Sequence, residues 1–158
     1  MIELLILGIG SPFGDDRLGW EVVQGLQQKK ALQGYSTQQL QFMACDRPGL
    51  NLLDWMQEAK TVFLIDAVRT GAKVGSLLYL ENEEIKTINP IQSTHEFGLA
   101  NTIEMGKILN LLPKKLVLYS IEVNELKFQF EVTEPIRAAI HALIIRIERD
   151  ISIYLRPS

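Results

Sequence analysis

The chain has 158 residues, 47% of them hydrophobic, and a net charge of −3. That length fits one domain under the usual span of about 100–200 residues, and the apolar content points to a packed core rather than disorder. No basic tract fits a nucleic-acid binder, and no stretch approaches the roughly 20 apolar residues of a membrane span.

Lone Cys45 cannot make an internal disulfide, which fits a reducing compartment. Met1, Ile2 and Glu3 lack the basic start of a secretory signal. The expectation is a cytoplasmic protein with a single domain over residues 1–158.

The organising stretch comes first. Residues 4–7 form a continuous apolar run, the pattern of a strand covered on both faces. Gly8, Gly10 and Gly14 then stud a turn that carries Asp15 and Asp16. Leu18, Val22 and Leu26 recur at helical spacing, with Val23 widening the stripe. The carboxyl end of such a strand is where open α/β sheets place their ligands.

Residues 29–39 read as a polar connection, and 40–45 as a second strand ending in the turn cluster Asp46-Arg47-Pro48-Gly49. Asn51 is placed to cap a short helix whose apolar face is Leu52, Leu53 and Met56. Residues 61–65 are a β-branched and aromatic strand, with Asp66 at its end. A further strand is expected over 76–80, and the acidic run 81–84 reads as a solvated turn. After Ser93-Thr94-His95-Glu96-Phe97-Gly98, a helix runs from Leu99 to Leu109 or Leu112, stopped by Pro113. Another strand covers 116–121. Residues 126–132 alternate as a half-buried edge strand would. Thr133 is expected to cap a long last helix, faced by Ile136, Ala139, Ile140, Leu143, Ile144, Ile147 and Ile151. Strands alternating with helices predict an α/β fold, a mostly parallel sheet covered on both faces.

Capping accounts for one of Asp15 and Asp16, and the second is then free to point elsewhere. Asp66 has a dull role as a turn former, yet a parallel first and third strand would bring it to the rim that holds Asp16. Two carboxylates in one crevice need a cation or a shared proton. His95, in a polar turn before a helix, would complete an N/O₂ set that suits nickel or zinc better than magnesium. His141 sits beside the last helix's stripe and reads as structural or surface. A nucleotide is disfavoured: the third glycine of the fingerprint is displaced, Pro12 removes a donor, and Asp15 and Asp16 would repel a pyrophosphate. Cys45, an inert small hydrophobe by position, does not make a thiol hydrolase with His95.

These residues resemble the hydrogenase maturation endopeptidases. The resemblance runs through Leu7-Gly8-Ile9-Gly10 with Gly14-Asp15-Asp16-Arg17-Leu18-Gly19, through Phe63-Leu64-Ile65-Asp66-Ala67, and through Ser93-Thr94-His95-Glu96-Phe97-Gly98-Leu99. Pro113-Lys114-Lys115-Leu116 and Val132-Thr133-Glu134-Pro135 also fit. The resemblance implies a three-layer α/β/α sandwich around a twisted, mostly parallel sheet. It implies an endopeptidase that trims a C-terminal extension from the large-subunit precursor of a nickel-iron hydrogenase after nickel insertion. Asp16, Asp66 and His95 would be its metal-contacting and catalytic residues. The nickel would be borne by the substrate, with no resident organic cofactor, and the protein would be a monomer. The runner-up is a nickel-binding maturation chaperone or sensor of the same fold.

The chain departs from the family at Ser11-Pro12, where an Asn followed by apolar residues is usual, and at Arg17, where glycine is common. Asp46-Arg47-Pro48-Gly49 stands in place of a Gly- and Thr-rich turn that is thought to accommodate substrate. The alternation over 126–132 is more strand-like than the irregular loop usual there.

Overall fold

The computed structural model describes residues 1–88, 98–124 and 131–156. The strands are β1 (Ile2–Gly10), β2 (Leu40–Asp46), β3 (Ala59–Val68), β4 (Leu77–Glu81) and β5 (Lys115–Glu122). They form one sheet in the order β2-β1-β3-β5-β4. All neighbours pair in parallel except β4, which runs antiparallel along β5 at the edge. The helices are α1 (Leu18–Gln27), α2 (Lys30–Gln33), α3 (Asn51–Met56), α4 (Leu99–Ile108) and α5 (Glu134–Tyr154). Two 3-10 turns, Gly14–Arg17 and Asn82–Thr87, complete the set.

Strand alternation divides the core in two. Leu4 and Ile6 of β1 join Phe63, Ile65, Val117 and Tyr119 on the face covered by α1 and α5. Leu5, Leu7 and Ile9 join Val62, Leu64 and Leu118 on the face covered by α3, α4 and the second 3-10 turn. This is the α/β/α sandwich expected, and the strand runs 40–45, 61–65 and 116–121 all lie within observed strands. The expected strand over 76–80 is shifted by one residue.

Helix α1 lies flush on the strand ends because glycines meet there. A Cβ on Gly19 would stand 2.3 Å from the Ile9 carbonyl oxygen and 2.7 Å from that of Ile65. A Cβ on Gly8 would stand 2.2 Å from the carbonyl oxygen of Gly19. No side chain can occupy either gap.

Several local expectations are corrected. Asn51 is the first residue of α3, not its cap; Leu50 holds that position, with no side-chain bond to the helix. Pro113 does not end α4. The helix closes earlier, with Asn110 left-handed at φ 58°, its N–H donating to Lys107 O (3.2 Å) and the Leu111 N–H to Gly106 O (2.8 Å). The connection 29–39 contains the single turn α2, held by buried Leu32. The acidic run 81–84 enters a 3-10 turn through a capping box between Glu81 and Glu84. Of the expected strand 126–132, residues 126–130 lie outside the described residues, and Glu131 and Val132 are not in a strand.

The carboxyl half of α5 is tied down by a polar network. The Tyr119 hydroxyl donates to Asp150 Oδ2 (2.8 Å), and the Arg146 guanidinium stacks 4.6 Å from the Tyr79 ring centre. The hydroxyls of Thr61 and Tyr154 are hydrogen-bonded to each other.

Gly19→Ala is expected to lower stability by about 1–3 kcal/mol, the usual cost of overpacking, since the obstacles are backbone atoms. Gly34→Ala, where nothing lies within 4 Å of the added Cβ, should stay within about 0.5 kcal/mol in the same urea titration.

Candidate active site at the strand ends

β1 sits where the chain leaves in one direction through α1 to β2, while β3 lies on its other side. Ligands in open α/β sheets bind in the crevice at such a reversal. Asp16 belongs to the 3-10 turn after β1. Gly14, at φ 52°, bends the chain back in a conformation that side-chain-bearing residues resist. The Asp16 N–H donates to Phe13 O (3.1 Å), and the Ser11 N–H to Asp16 O (3.2 Å). A Cβ on Gly10 would meet that Asp16 carbonyl oxygen at 2.4 Å, so the turn rests on bare backbone. The result is a carboxylate residue only 7% exposed.

Asp66 lies within β3 rather than beyond its end, opposite Ser120 of β5. Alternation places it on the side of Val62 and Leu64, under α3 and α4. Its Oδ1 accepts the Ala67 N–H (2.8 Å). It lines a cleft whose walls include Ile9, Pro48, Leu52, Leu99 and Thr102. The 46–49 turn forms one wall, with Arg47 at φ 41° and Gly49 at φ 55°. It is fastened to β1 by the Arg47 N–H donating to Gly10 O (3.0 Å).

The two acids act on each other. Burial, and then the negative charge of Asp16, hold the Asp66 carboxyl well above the ordinary carboxylate range, against the lowering effect of the Ala67 N–H. Asp66 thus lies within reach of the Asp16 charge, at the end of the sheet where β1 and β3 run side by side in parallel. His95 lies outside the described residues; Leu99, shortly after it, is the first residue of α4 and lines the cleft. Among the described residues no group of three or more His, Cys, Asp or Glu side chains could hold a metal.

Asp15 corrects the capping expectation. The N-cap residues of the 3-10 turn and of α1 are Phe13 and Arg17, and neither makes a side-chain cap bond. Asp15 Oδ1 instead accepts the N–H of Thr133 (2.8 Å), and the Thr133 hydroxyl lies 3.1 and 3.0 Å from its two carboxylate oxygens. Thr133 is the N-cap of α5, as expected, but makes no side-chain bond to its own helix. Sequence reasoning also missed Glu122, a buried acid that holds the loop after β3. Its carboxylate accepts the Thr70 N–H (2.9 Å) and the Thr70 hydroxyl (2.5 Å). Neither pair has a local signature, because its partners lie on separate elements.

Cys45 is buried, and burial pushes its thiol up to about 11. His141 is exposed on α5.

Two outcomes follow from these environments. An Asp66 carboxyl raised in the fold binds its proton more tightly than the unfolded chain does. The stability this gives is complete below the unfolded value of about 3.9 and is lost as pH rises towards the folded value. Asp66→Asn cannot ionise. In chelator its urea midpoint should therefore exceed the parent's near about pH 7, and the difference should vanish near about pH 3. Iodoacetamide at mildly alkaline pH should label Cys45 only after denaturation, as read by mass.

Comparison with known proteins places the geometry in a lineage. A family model described as hydrogenase maturation protease matches residues 21–150, a span that includes Asp66 and His95 and begins after Asp16. A HupD hydrogenase expression/formation protein from Thiocapsa roseopersicina is 26% identical over 127 residues, 78% of this chain and 56% of that protein. HoxM of Azotobacter vinelandii is 25% identical over 92% of this chain and 71% of its own length. The hydrogenase maturating endopeptidase HybD from E. coli superposes with a TM-score of 0.78 at 25% identity, covering 92% of this chain and 90% of that one. The HybD protease of Thermococcus kodakarensis, 19% identical with a TM-score of 0.70 over 95% of this chain and 99% of its own, shares the fold. With the family's model covering most of its length, this chain belongs to the hydrogenase maturation proteases.

Proposed function

We propose that this chain is the endopeptidase that removes the C-terminal extension of a nickel-iron hydrogenase large-subunit precursor after nickel insertion. The observation that carries the reading is the repulsion between Asp16 and Asp66 in one crevice. Such a pair is relieved by a shared proton or a cation. A precursor that brings nickel supplies the cation, whereas an empty one leaves the repulsion in place. Asp16, Asp66 and His95 are the side chains assigned to that nickel, which travels with the substrate; no resident organic cofactor is involved. Imidazole and carboxylate together suit a late first-row metal.

Recognition of the metal fixes the precursor against the rim, and the cleft under α3 and α4 takes the chain beside the scissile bond. Asp16, at the mouth of α1, is the general base that takes the proton of the attacking water as its oxygen bonds to the scissile carbonyl. It hands that proton to the peptide nitrogen as the C–N bond breaks and the tail leaves as an amine. Asp66 shares the charge of the bound cation. The chain works as a cytoplasmic monomer with one domain.

The test is incubation with candidate large-subunit precursors, with and without nickel, followed by mass spectrometry. The nickel-loaded precursor should lose its tail and the empty one should not. Asp16→Asn, Asp66→Asn and His95→Ala should each slow processing by about 100-fold or more with the fold retained, as loss of acid–base groups does. Normal tail removal by any two of them refutes the site. A stable complex with no mass loss favours a nickel-binding chaperone or sensor.

A further inference from the structure

Asp15 neighbours the site without sharing its chemistry. Its carboxylate is engaged by Thr133, 118 positions away, through the backbone N–H at 2.8 Å and the hydroxyl at 3.0 and 3.1 Å. Thr133 is a firm anchor. Its carbonyl accepts the Arg137 N–H (2.9 Å) at the start of α5, and Ile136, Ile140 and Leu143 bury that helix against the sheet. A carboxylate before the amino end of a helix also meets the positive end of its dipole.

On its other side the turn meets β1 through backbone, by the Gly10 approach to the Asp16 carbonyl and the Ser11 N–H bond to the same oxygen. The Asp16 turn is therefore gripped from β1 on one side and from α5 on the other. Asp15 and Asp16 share a peptide bond, so tethering one sets where the other begins. A bland reading makes this only a stabilising cap. Its place argues otherwise, because the two cores already hold α5 and β1, and the one thing the contact adds is the position of the turn between them.

We propose that Asp15 is a positioning residue: bonded to the N–H and hydroxyl of Thr133, it locks the Asp16 turn to the amino end of α5 and sets the approach of Asp16 to Asp66. Its kinetic test rests on the peptidase reading above; a second measurement does not.

Asp15→Ala should lower kcat on nickel-loaded precursor by about tenfold to 100-fold, the range that misplacement by about 1 Å produces. KM should change by no more than about twofold, since the groups that contact the precursor remain. Asp15→Asn, which keeps an acceptor oxygen, should recover most of the rate. Thr133→Ser should match the parent, Thr133→Val should fall between, and the Asp15→Ala/Thr133→Val double variant should be no slower than Asp15→Ala alone. In the free protein, amide exchange at Asp16 should quicken at least about tenfold in Asp15→Ala while the amides of Leu5 and Leu64 stay protected. Parent kcat in Asp15→Ala, or losses that add in the double variant, overturn the proposal. If the parent cleaves no precursor, the peptidase reading falls, and unchanged Asp16 exchange would separately overturn the latch. Should Asp15→Ala fail to fold, Thr133→Val carries the comparison: a kcat below the parent's and faster Asp16 exchange are expected, and parent values of both overturn the proposal.

Discussion

Everything at the rim depends on α1 starting in backbone contact with β1 and β3. A helix normally keeps its distance from a sheet through side chains, about 10 Å between layers. At Gly8 and Gly19 that spacer is gone, and the helix begins against the carbonyls of Ile9 and Ile65. The connection between strand and helix then has little room. It turns through left-handed Gly14, tightens into a 3-10 turn, and carries Asp16 inwards instead of out to solvent. The buried acid follows from the close approach, and the close approach follows from two residues without side chains.

Other acids in the fold show what makes the Asp16–Asp66 crevice different. Glu122 is buried, yet Thr70 supplies it with an N–H and a hydroxyl. Asp150 has the Tyr119 hydroxyl and lies 3.5 Å from Arg146. Asp15 has Thr133. Asp66 receives the Ala67 N–H, but it is also loaded by the charge of Asp16, and that burden holds its proton on. A buried carboxylate served by donors is structural. Asp66, set against a second carboxylate, is instead a perturbed group, of the kind that clusters at functional sites.

Much of this was legible in residue order. Apolar runs marked β1, β3 and β5 because strands covered on both faces have no polar side to confuse the pattern. The stripe from Ile136 to Ile151 gave α5 for the opposite reason, a single buried face at helical spacing. Asp16 and Asp66 could be brought together on paper because parallel neighbouring strands end on the same rim. What escaped was chemistry between distant elements. Asp15 resembled a local cap, and only the docking of α5 reveals its partner. The end of α4 was assigned to Pro113 because proline is the louder stop signal, while Asn110 had already closed the helix with a left-handed turn. His95, named from its motif, lies outside the described residues, and its place beside the two acids stands on the resemblance and the proposed chemistry.

The two ends of α5 are held by unlike means, and this bears on how the molecule breathes. Its carboxyl half is pinned in depth, by the Thr61–Tyr154 bond and by Arg146 lying over two tyrosine rings. Its amino end is secured near the surface through Asp15 and Thr133. Between them Ile136, Ile140, Leu143, Ile147 and Ile151 are buried, so the helix is held along its whole length and opens only together with the core beneath it. The consequence is a rim of fixed shape: the turn that carries Asp15 and Asp16 rests on a helix anchored at both ends rather than on a loose terminus.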